Sequence, residues 1–349
     1  VVIMNKGLTF NQPYTTRFVQ MTLTHSKKYL GIFLFFWLFG CQEVQNNLIS
    51  QQVITGEGTV AAAISPKTQL VAVSSLTSGI VVWDLQQQQA KFRLSHGEPV
   101  ENLVTNVTFS DDGGFLLTAT ATQVALWQMT DGKNVGFWSM QPGATVRDIA
   151  VSNLGKHLLI AQSDGKVQHI TLSTGRRIEF LGHTENVNSV ALSPNGRYAL
   201  TGGSDLQSYL WDTQSAQILL TMPSANRVTK VALDPQARYA FTADSQKQAT
   251  IYDLKTGQRV SQLPLDRGRI FTAARFSEDG TYLLTGAPAQ RVTVWTVASG
   301  ALFSDWLVTP SAFSKQPNAL VYDVALMPNQ QVLSISSSGV AEYWELAHE

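Results

Sequence analysis

The sequence predicts an all-β protein, a seven-bladed β-propeller made of four-stranded antiparallel blades. One short text recurs along the chain: an alternating strand, a turn rich in Ser, Pro, Asn and Gly, and a second strand, as in VNSVALSPNGRYAL (187–200). Seven copies of this text occur, at a nearly constant spacing. A repeat of about 40–45 residues made of short strands is typical of propeller blades, because a lone sheet leaves two apolar faces in water.

Two columns of residues fix the register of the copies independently. The turn column consists of Ser65, Ser110, Ser152, Ser193, Asp234, Ser277 and Met327. The large-residue column consists of Trp83, Trp127, Ile170, Trp211, Tyr252, Trp295 and Trp344. Successive spacings are 45, 42, 41, 41, 43 and 50 residues in the first column and 44, 43, 41, 41, 43 and 49 in the second. Because the two columns agree to within a residue, each copy is predicted to be one sheet module.

The fourth copy carries the most complete motif, from Gly182-His183 to Trp211-Asp212. Related dipeptides are Trp83-Asp84, Tyr252-Asp253 and Trp344-Glu345, whereas the third copy has Ile170-Thr171. With this periodicity and these motifs, residues 48–349 resemble the WD-repeat β-propeller family. The resemblance implies blades of four strands, a to d from the channel outward, with the d–a loops and b–c turns on one face. It also implies a hydrogen-bonded structural tetrad in the fourth copy, formed by His183, Thr201, Asp205 and Trp211.

The two ends of the repeat region predict how the ring closes. After Trp344 the sequence ends at ELAHE, so the seventh copy has no fourth strand of its own. The segment NLISQQVIT (47–55) reads as a spare strand before the first copy. We expect this N-terminal strand to complete the last blade, which would remove two exposed sheet edges.

Composition argues against nucleic acid as a partner. The chain of 349 residues has 25 basic and 25 acidic residues, a formal net charge of zero and a charged fraction of 14%. Binding to nucleic acid depends on a surplus of Lys and Arg that neutralises phosphates. The sequence offers no such surplus.

The segment Met21–Cys41, MTLTHSKKYLGIFLFFWLFGC, predicts a secretory signal. Two lysines precede an apolar run that is too short to span a bilayer, and the only cysteine of the chain closes it. LFGC resembles the lipobox of bacterial lipoproteins, in which the cysteine becomes the acylated N-terminus. Gln42, by the sorting rule of those lipoproteins, implies the periplasmic face of the outer membrane; an inner-membrane lipoprotein and a signal anchor with an incidental cysteine are the alternatives.

These features divide the chain into four predicted parts. Residues 1–20 form an extension upstream of a translation start at Met21, residues 21–40 a lipoprotein signal peptide, and residues 41–47 a lipidated tether. Residues 48–349 form the propeller.

Motifs for catalysis and metal binding are weak. The six histidines are not at metal-ligand spacing, and no G-x-S-x-G nucleophile elbow or phosphate loop occurs. His169 replaces an apolar residue in strand c of the third copy, which predicts a hydrogen-bonded core histidine, with a ligand or base as the alternative. We expect no cofactor and no metal.

Loop residues near the channel mouth are the candidates for binding a partner. They are Arg147, Asp148, Arg227, Lys230, Arg267, Arg269 and Asp323, together with Phe313 and Lys315 of the insertion VTPSAFSKQPNAL (308–320). An exposed aromatic residue beside a cation is a typical anchor for a partner. A solvated rim of balanced charge and a tolerated loop extension are the alternative interpretations.

The sequence therefore predicts a non-catalytic protein-interaction platform, tethered to the bacterial envelope and binding protein partners at the membrane. One alternative is an accessory factor in outer-membrane assembly or envelope maintenance. Another is a propeller hydrolase or lyase acting on a small molecule in the central channel.

Overall fold

The protein is described by a computed structural model that defines residues 47–97, 103–265, 270–312 and 318–346. Within these ranges, 28 β-strands form seven antiparallel sheets of four strands each. One turn of 3₁₀ helix, Asn153–Gly155, is the remaining regular element of the described residues. All 28 strands belong to one compact unit, Val44–Glu349. The prediction of an all-β seven-bladed propeller is confirmed.

Each sheet is one blade, and its strands follow one another from the channel outward. Blades 1 to 3 comprise β2 (Thr59–Ser65), β3 (Leu70–Ser75), β4 (Gly79–Asp84), β5 (Gln89–Leu94); β6 (Asn106–Phe109), β7 (Phe115–Ala119), β8 (Gln123–Gln128), β9 (Asn134–Ser139); and β10 (Val146–Val151), β11 (His157–Gln162), β12 (Val167–Thr171), β13 (Arg176–Phe180). Blades 4 and 5 comprise β14 (Val187–Leu192), β15 (Tyr198–Gly203), β16 (Gln207–Asp212), β17 (Ile218–Pro223); and β18 (Val228–Leu233), β19 (Tyr239–Asp244), β20 (Ala249–Asp253), β21 (Arg259–Gln262). Blades 6 and 7 comprise β22 (Ala273–Phe276), β23 (Tyr282–Gly286), β24 (Arg291–Thr296), β25 (Leu302–Leu307); and β26 (Val321–Leu326), β27 (Gln331–Ser336), β28 (Val340–Glu345), β1 (Leu48–Val53).

The turn column of the sequence lies where strand a ends and the chain turns into strand b. In blade 4, the hydroxyl of Ser193 accepts a hydrogen bond from the backbone N–H of Tyr198 at 2.9 Å. Ser277 does the same for Tyr282 in blade 6, also at 2.9 Å. A small hydroxyl at this place satisfies a backbone donor that the tight turn leaves free, which explains the recurrence of serine.

The core lies between the blades. Seven buried apolar clusters occur among the described residues, and each draws its side chains from two successive blades. Trp211, Trp295 and Trp344 from the large-residue column are among the largest side chains with almost no exposure. Wide rings at this position fill the gap between neighbouring sheets, as the sequence predicted.

The ring closes by pairing the two ends of the repeat region. Strand β1 lies antiparallel to β28, with Leu48 opposite Trp344 and Val53 opposite Val340. Five of its six residues are exposed and Gln52 is half-buried, so the strand contributes mainly backbone hydrogen bonds and coverage of an edge. The predicted closure is confirmed, with the strand spanning 48–53 within the expected segment 47–55.

The predicted signal segment, translation start and lipidated Cys41 lie outside the described residues. Their assignment to residues 1–20, 21–40 and 41–47 stays a prediction. In the part of the chain that the structure covers, no helix has the length and apolar character needed to cross a bilayer.

Deleting residues 48–55 tests the closing strand. We expect the deleted protein to aggregate or to lose its cooperative thermal transition, because the edge of β28 becomes an open template for other chains. The measurement is a thermal melt followed by circular dichroism, together with size-exclusion chromatography. Val53→Ser, at an exposed position of the same strand, is the matched control and should melt like the wild type. A soluble deletion variant with a cooperative melt would show that β1 is not needed for closure.

Candidate functional site

The inner strands of all seven blades surround a central cavity of about 480 Å³. Its wall runs from the third residues of the inner strands, such as Asp148 and Lys230, down to the a–b turns, such as Lys67 and Glu278. Because the strands of a blade alternate in direction, the d–a loops and b–c turns lie at one end of this channel and the a–b and c–d turns at the other. We call these ends the d–a rim and the a–b mouth.

Two of the predicted partner-binding carboxylates hold the blades together. The Asp148 carboxylate in blade 3 accepts a hydrogen bond from the backbone N–H of Val190 in blade 4 at 2.9 Å. The Asp323 carboxylate in blade 7 accepts one from the N–H of Ile64 in blade 1 at 2.8 Å. Strand a is the inner edge of its sheet, so some of its N–H groups lack a partner strand and need such acceptors. A role of Asp148 and Asp323 in binding a partner stays a prediction, beside this structural one.

A second row of inter-blade bonds lies at the d–a rim. The Asn188 side-chain amide donates to the carbonyl of Val228 in the next blade at 2.8 Å. The Thr272 hydroxyl donates to the carbonyl of Val321 at 2.6 Å, and the Tyr322 hydroxyl donates to that of Thr59 at 2.8 Å. These bonds fix the start of one inner strand against that of its neighbour. The rim is therefore held rigidly where the loops leave it.

Charges at the a–b mouth are paired with one another. The Lys67 ammonium lies 2.8 Å from the Asp111 carboxylate of blade 2 and 3.4 Å from the Glu278 carboxylate of blade 6. Arg238 binds Asp234 with its Nε at 2.7 Å. Desolvation lowers the pKa of Lys67, but the two carboxylates outweigh it and leave the pKa raised. Lys67 and Arg238 therefore each have a carboxylate close by, and their charge is used within the ring.

At the d–a rim, two of the predicted cations are free. Arg147 and Arg227 are exposed, in blades 3 and 5. Neither guanidinium forms an ion pair with any carboxylate of the described residues; Arg147 only makes a 3.5 Å contact with the side-chain oxygen of Asn188. Lys230 is half-buried and lines the channel below them. The structure thus brings three of the predicted site residues to one end of the ring.

The remaining candidates, Arg267, Arg269, Phe313 and Lys315, lie outside the described residues. The insertion 308–320 is defined at its two ends, where the N–H of Ser311 donates to the carbonyl of Asn318 at 2.9 Å. The Thr309 hydroxyl also donates to the buried Glu342 carboxylate at 2.6 Å. Burial raises the pKa of Glu342, and the two Thr309 hydrogen bonds oppose this. The base of the insertion is therefore anchored to blade 7.

The predicted tetrad of blade 4 is connected through three of its four members. His183 donates from Nδ1 to the Asp205 carboxylate at 3.0 Å, since a carboxylate only accepts. The Thr201 hydroxyl donates to Nε2 of His183 at 2.9 Å. Burial lowers the pKa of His183, and Asp205 counteracts this only in part, so the imidazole is neutral at pH 7. These bonds connect the d–a loop to the b–c turn.

The expected fourth link is missing. The indole N–H of Trp211 has no hydrogen-bond partner among the described residues. Its ring instead stacks on Phe180 of blade 3, with centroids 4.5 Å apart and planes inclined by 3°. Stacking against the neighbouring blade sets the position of the indole, so the tetrad in blade 4 is a triad plus a packed ring.

Other blades make the tryptophan link that blade 4 lacks. The Trp127 N–H donates to the Thr118 hydroxyl at 2.9 Å, and Thr118 is also 2.7 Å from Nε2 of His96. Trp295 donates to Thr285 at 2.8 Å, and Trp344 donates to Ser334 at 2.9 Å. The sequence motif did not single out these hydroxyls. They nevertheless occupy the fourth position of strand b, the same position as Thr201 in blade 4.

The expectation that His169 is a hydrogen-bonded core histidine is wrong in one respect. His169 is buried, with 2% of its surface exposed. Neither ring nitrogen has a hydrogen-bond partner among the described residues, because the neighbouring polar group is another imidazole, His157, stacked parallel to it at 5.2 Å between centroids. Across the described ranges, no three His, Cys, Asp or Glu side chains lie close enough together to hold a metal ion.

Comparison with known proteins agrees with this geometry. The family model "WD domain, G-beta repeat" matches residues 175–212, which contain the triad of blade 4 and its Trp-Asp pair. Residues 175–212 are similar to a WD40 repeat. The match runs from the outer strand of blade 3, β13, to the end of strand c of blade 4, β16.

Curated relatives point the same way. An uncharacterized WD repeat-containing protein of Synechocystis is 28% identical over 173 residues, 49% of this chain and 46% of the relative. WD repeat-containing protein SL1-17 of Schistosoma mansoni is 28% identical over 165 residues, 47% of this chain and 53% of the relative. U3 small nucleolar RNA-associated protein 15 homolog of Bos taurus is 24% identical over 135 residues, 39% of this chain and 25% of the relative. The chain spans about half the length of the first two relatives and less of the third.

Removing the Asp323 carboxylate tests the bond between blades 7 and 1. Asp323→Ala leaves the buried N–H of Ile64 without an acceptor and frees Arg275, which lies 2.7 Å from the same carboxylate. We expect a loss of about 2 kcal/mol in the free energy of unfolding, measured by urea denaturation. Asp131→Ala, which breaks an exposed pair with Lys133, is the control and should change stability by less than about 0.5 kcal/mol. Equal effects of the two substitutions would contradict the structural role of Asp323.

Proposed function

We propose that the protein is a non-catalytic docking platform, a WD-repeat scaffold that binds a protein partner on its d–a rim. The observation that carries the proposal is the contrast between the two ends of the channel. At the a–b mouth Lys67 and Arg238 have carboxylate partners, whereas Arg147 and Arg227 at the d–a rim have none among the described residues. A free guanidinium on a rigid support is a typical contact for a partner's carboxylate.

The rigidity of the rim supports a role in binding. The Asn188, Thr272 and Tyr322 bonds tie the inner strands together directly beneath the rim. Side chains that are already ordered lose less conformational entropy when a partner arrives, and this makes a modest number of contacts sufficient for specific binding. The His183–Asp205 bond fixes a d–a loop and a b–c turn on the same rim.

The charge pattern favours a protein partner with an acidic segment over a nucleic acid. Net charge is zero, and the described part of the rim offers Arg147, Arg227 and the half-buried Lys230 as uncompensated cations. Tight binding to nucleic acid rests on the neutralisation of many phosphates, each releasing counterions. Three cations around a channel suit a short acidic peptide better.

Cross-linking in intact cells tests the docking surface. We expect a discrete cross-linked adduct, identified by mass spectrometry, with the wild type, and its loss in the double variant Arg147→Glu/Arg227→Glu, because like charges then face each other across the interface. The control is Arg177→Glu, an equal charge reversal on the exposed outer strand β13, which should keep the adduct. An adduct that survives in the double variant would place the binding surface elsewhere, and a small molecule retained in the channel without any protein adduct would favour an enzyme.

We also propose that Cys41 anchors the platform to the bacterial envelope as a lipoprotein, on the periplasmic face of the outer membrane. The support is the sequence alone: two lysines, a short apolar run and the only cysteine of the chain directly after it. A lipid anchor restricts the available partners to those at the membrane.

Metabolic labelling tests the anchor. We expect cells grown with labelled fatty acid to incorporate the label into the wild-type protein and not into Cys41→Ser, because acylation uses the sulfur and the new amino group of this cysteine. Wild-type protein without label, or equal labelling of the two proteins, would refute lipidation at Cys41.

A further inference from the structure

One of the seven interfaces between blades differs from the others in its chemistry. In six interfaces, the residue before the large-residue column packs in one apolar cluster with a residue that follows strand c of the next blade. These pairs are Val82 with Met129, Leu126 with Leu172, Leu210 with Leu254, Ile251 with Val297, Val294 with Leu346, and Tyr343 with Leu85. Between blades 3 and 4, the corresponding residues are His169 and Thr213, and both are buried.

A third replacement lies beside these two. Strand b begins with an aromatic residue in four blades, at Phe115, Tyr198, Tyr239 and Tyr282. In blade 3 this position is His157, whose ring packs against Gly196 of blade 4: a Cβ built on Gly196 would lie 2.2 Å from the ring. His169 and Thr213 thus replace the apolar pair of the other six interfaces, and His157 places a third polar side chain beside them. The Thr213 hydroxyl donates to the Gly196 carbonyl at 2.6 Å, whereas His169 has no hydrogen-bond partner among the described residues.

These replacements open a cleft of about 220 Å³ at the a–b end of the interface. Its lining includes His157, His169, Thr171, Arg176, Arg197 and Thr213. In the blade 3 sheet, His157 is opposite Thr171, Thr171 is opposite Arg176, and His169 lies two residues before Thr171, so all four side chains share the face that looks toward blade 4.

His169 is the least explained group of the cleft. It is 2% exposed, and neither of its ring nitrogens has a partner among the described residues. An unpartnered buried polar side chain is costly, and such groups occur where a ligand or water completes the bonding. A water alone is a possible occupant of any polar cleft, but this cleft is several times larger than the share of one water molecule, about 30 Å³.

The lining has donors and positive charge but contributes no carboxylate of its own. Arg176 donates to the backbone carbonyl of Gln214 at 2.9 Å and forms no ion pair with a described carboxylate. Arg197 is held by Asp212 at 2.6 Å, behind the cleft. Burial lowers the pKa of His169 to about 4, with further contributions from His157 and Arg176, and burial together with Lys156 lowers that of His157. The charge of Arg176 therefore has no counter-ion among the described residues.

We propose that this cleft between blades 3 and 4 binds a phosphate group. Arg176 supplies the charge, the Thr171 hydroxyl and the imidazoles of His157 and His169 supply donors, and Thr213 keeps the wall polar. The cleft lies at the a–b end of the ring, opposite the d–a rim, so it is independent of the docking surface proposed above. Free inorganic phosphate and a phosphate monoester present the same chemistry, and the size of the cleft admits both.

Isothermal titration with inorganic phosphate tests the site. We expect binding to the wild type, roughly tenfold or more weaker binding to Arg176→Ala, since a hydrogen bond to a charged group is lost, and no change in Arg177→Ala. Arg177 is the next residue of β13 and pairs with Ile170, so its side chain points to the opposite face. Chloride at equal ionic strength controls for screening.

A second variant weakens the site without endangering the fold. His169→Leu restores the apolar residue that the other six interfaces have at this position and keeps the Thr213 hydroxyl, which donates to the Gly196 carbonyl at 2.6 Å. We therefore expect it to melt at or above the wild-type temperature and to bind phosphate at least roughly tenfold more weakly. In the wild type, phosphate should shift the titration midpoints of both imidazoles upward in NMR spectra, because a nearby anion favours the protonated ring. Arg147→Glu/Arg227→Glu should bind phosphate like the wild type, which separates this site from the docking rim.

The outcomes decide the proposal and the source of the phosphate. Tighter binding of phenyl phosphate than of inorganic phosphate assigns the site to a monoester, and the reverse assigns it to the free ion. Absence of measurable binding to the wild type, or equal binding by the wild type and His169→Leu, overturns the proposal and leaves the cleft to water.

Discussion

Packing of one blade against the next is the interaction on which the whole molecule depends. A four-stranded sheet has two apolar faces and cannot bury either of them alone. Each of the seven buried clusters is shared by two successive blades, so no blade has a core of its own. The circle leaves no end uncovered only because β1 completes the sheet of β28.

Because the blades repeat, residues that stabilise the ring can be distinguished from residues that do not. Asp148 and Asp323 accept backbone N–H groups of the next blade, so their charge is used within the ring. Arg147 and Arg227 make no comparable bond. His169 replaces an apolar side chain at a buried interface, at a cost in stability that the other six blades avoid. This departure from an otherwise apolar position is the basis of the proposed phosphate cleft.

The fold was predictable because its signals are local and recur. Tryptophans at a fixed spacing and a serine turn in nearly every copy define the blade, and the spare strand at 48–53 follows from the missing strand after Trp344. The site was less predictable because it depends on neighbours some 40 residues away. The stacking of Trp211 on Phe180 and the meeting of His169 with Thr213 across an interface depend on how successive sheets pack, which a spacing does not specify. The spacing likewise does not specify which cations lie close to a carboxylate.

The pairing of Leu48 with Trp344 has a consequence for biosynthesis. The strand that seals the circle is synthesised before its partner, which follows about 300 residues later in the sequence. At usual elongation rates of about 5–20 residues per second, this strand waits for roughly 15 to 60 s without its partner. During that interval the first and the most recently formed blade each expose one apolar face that has no neighbouring blade. Until β28 emerges, the sheet edges of the nascent propeller are therefore open to pairing with other chains.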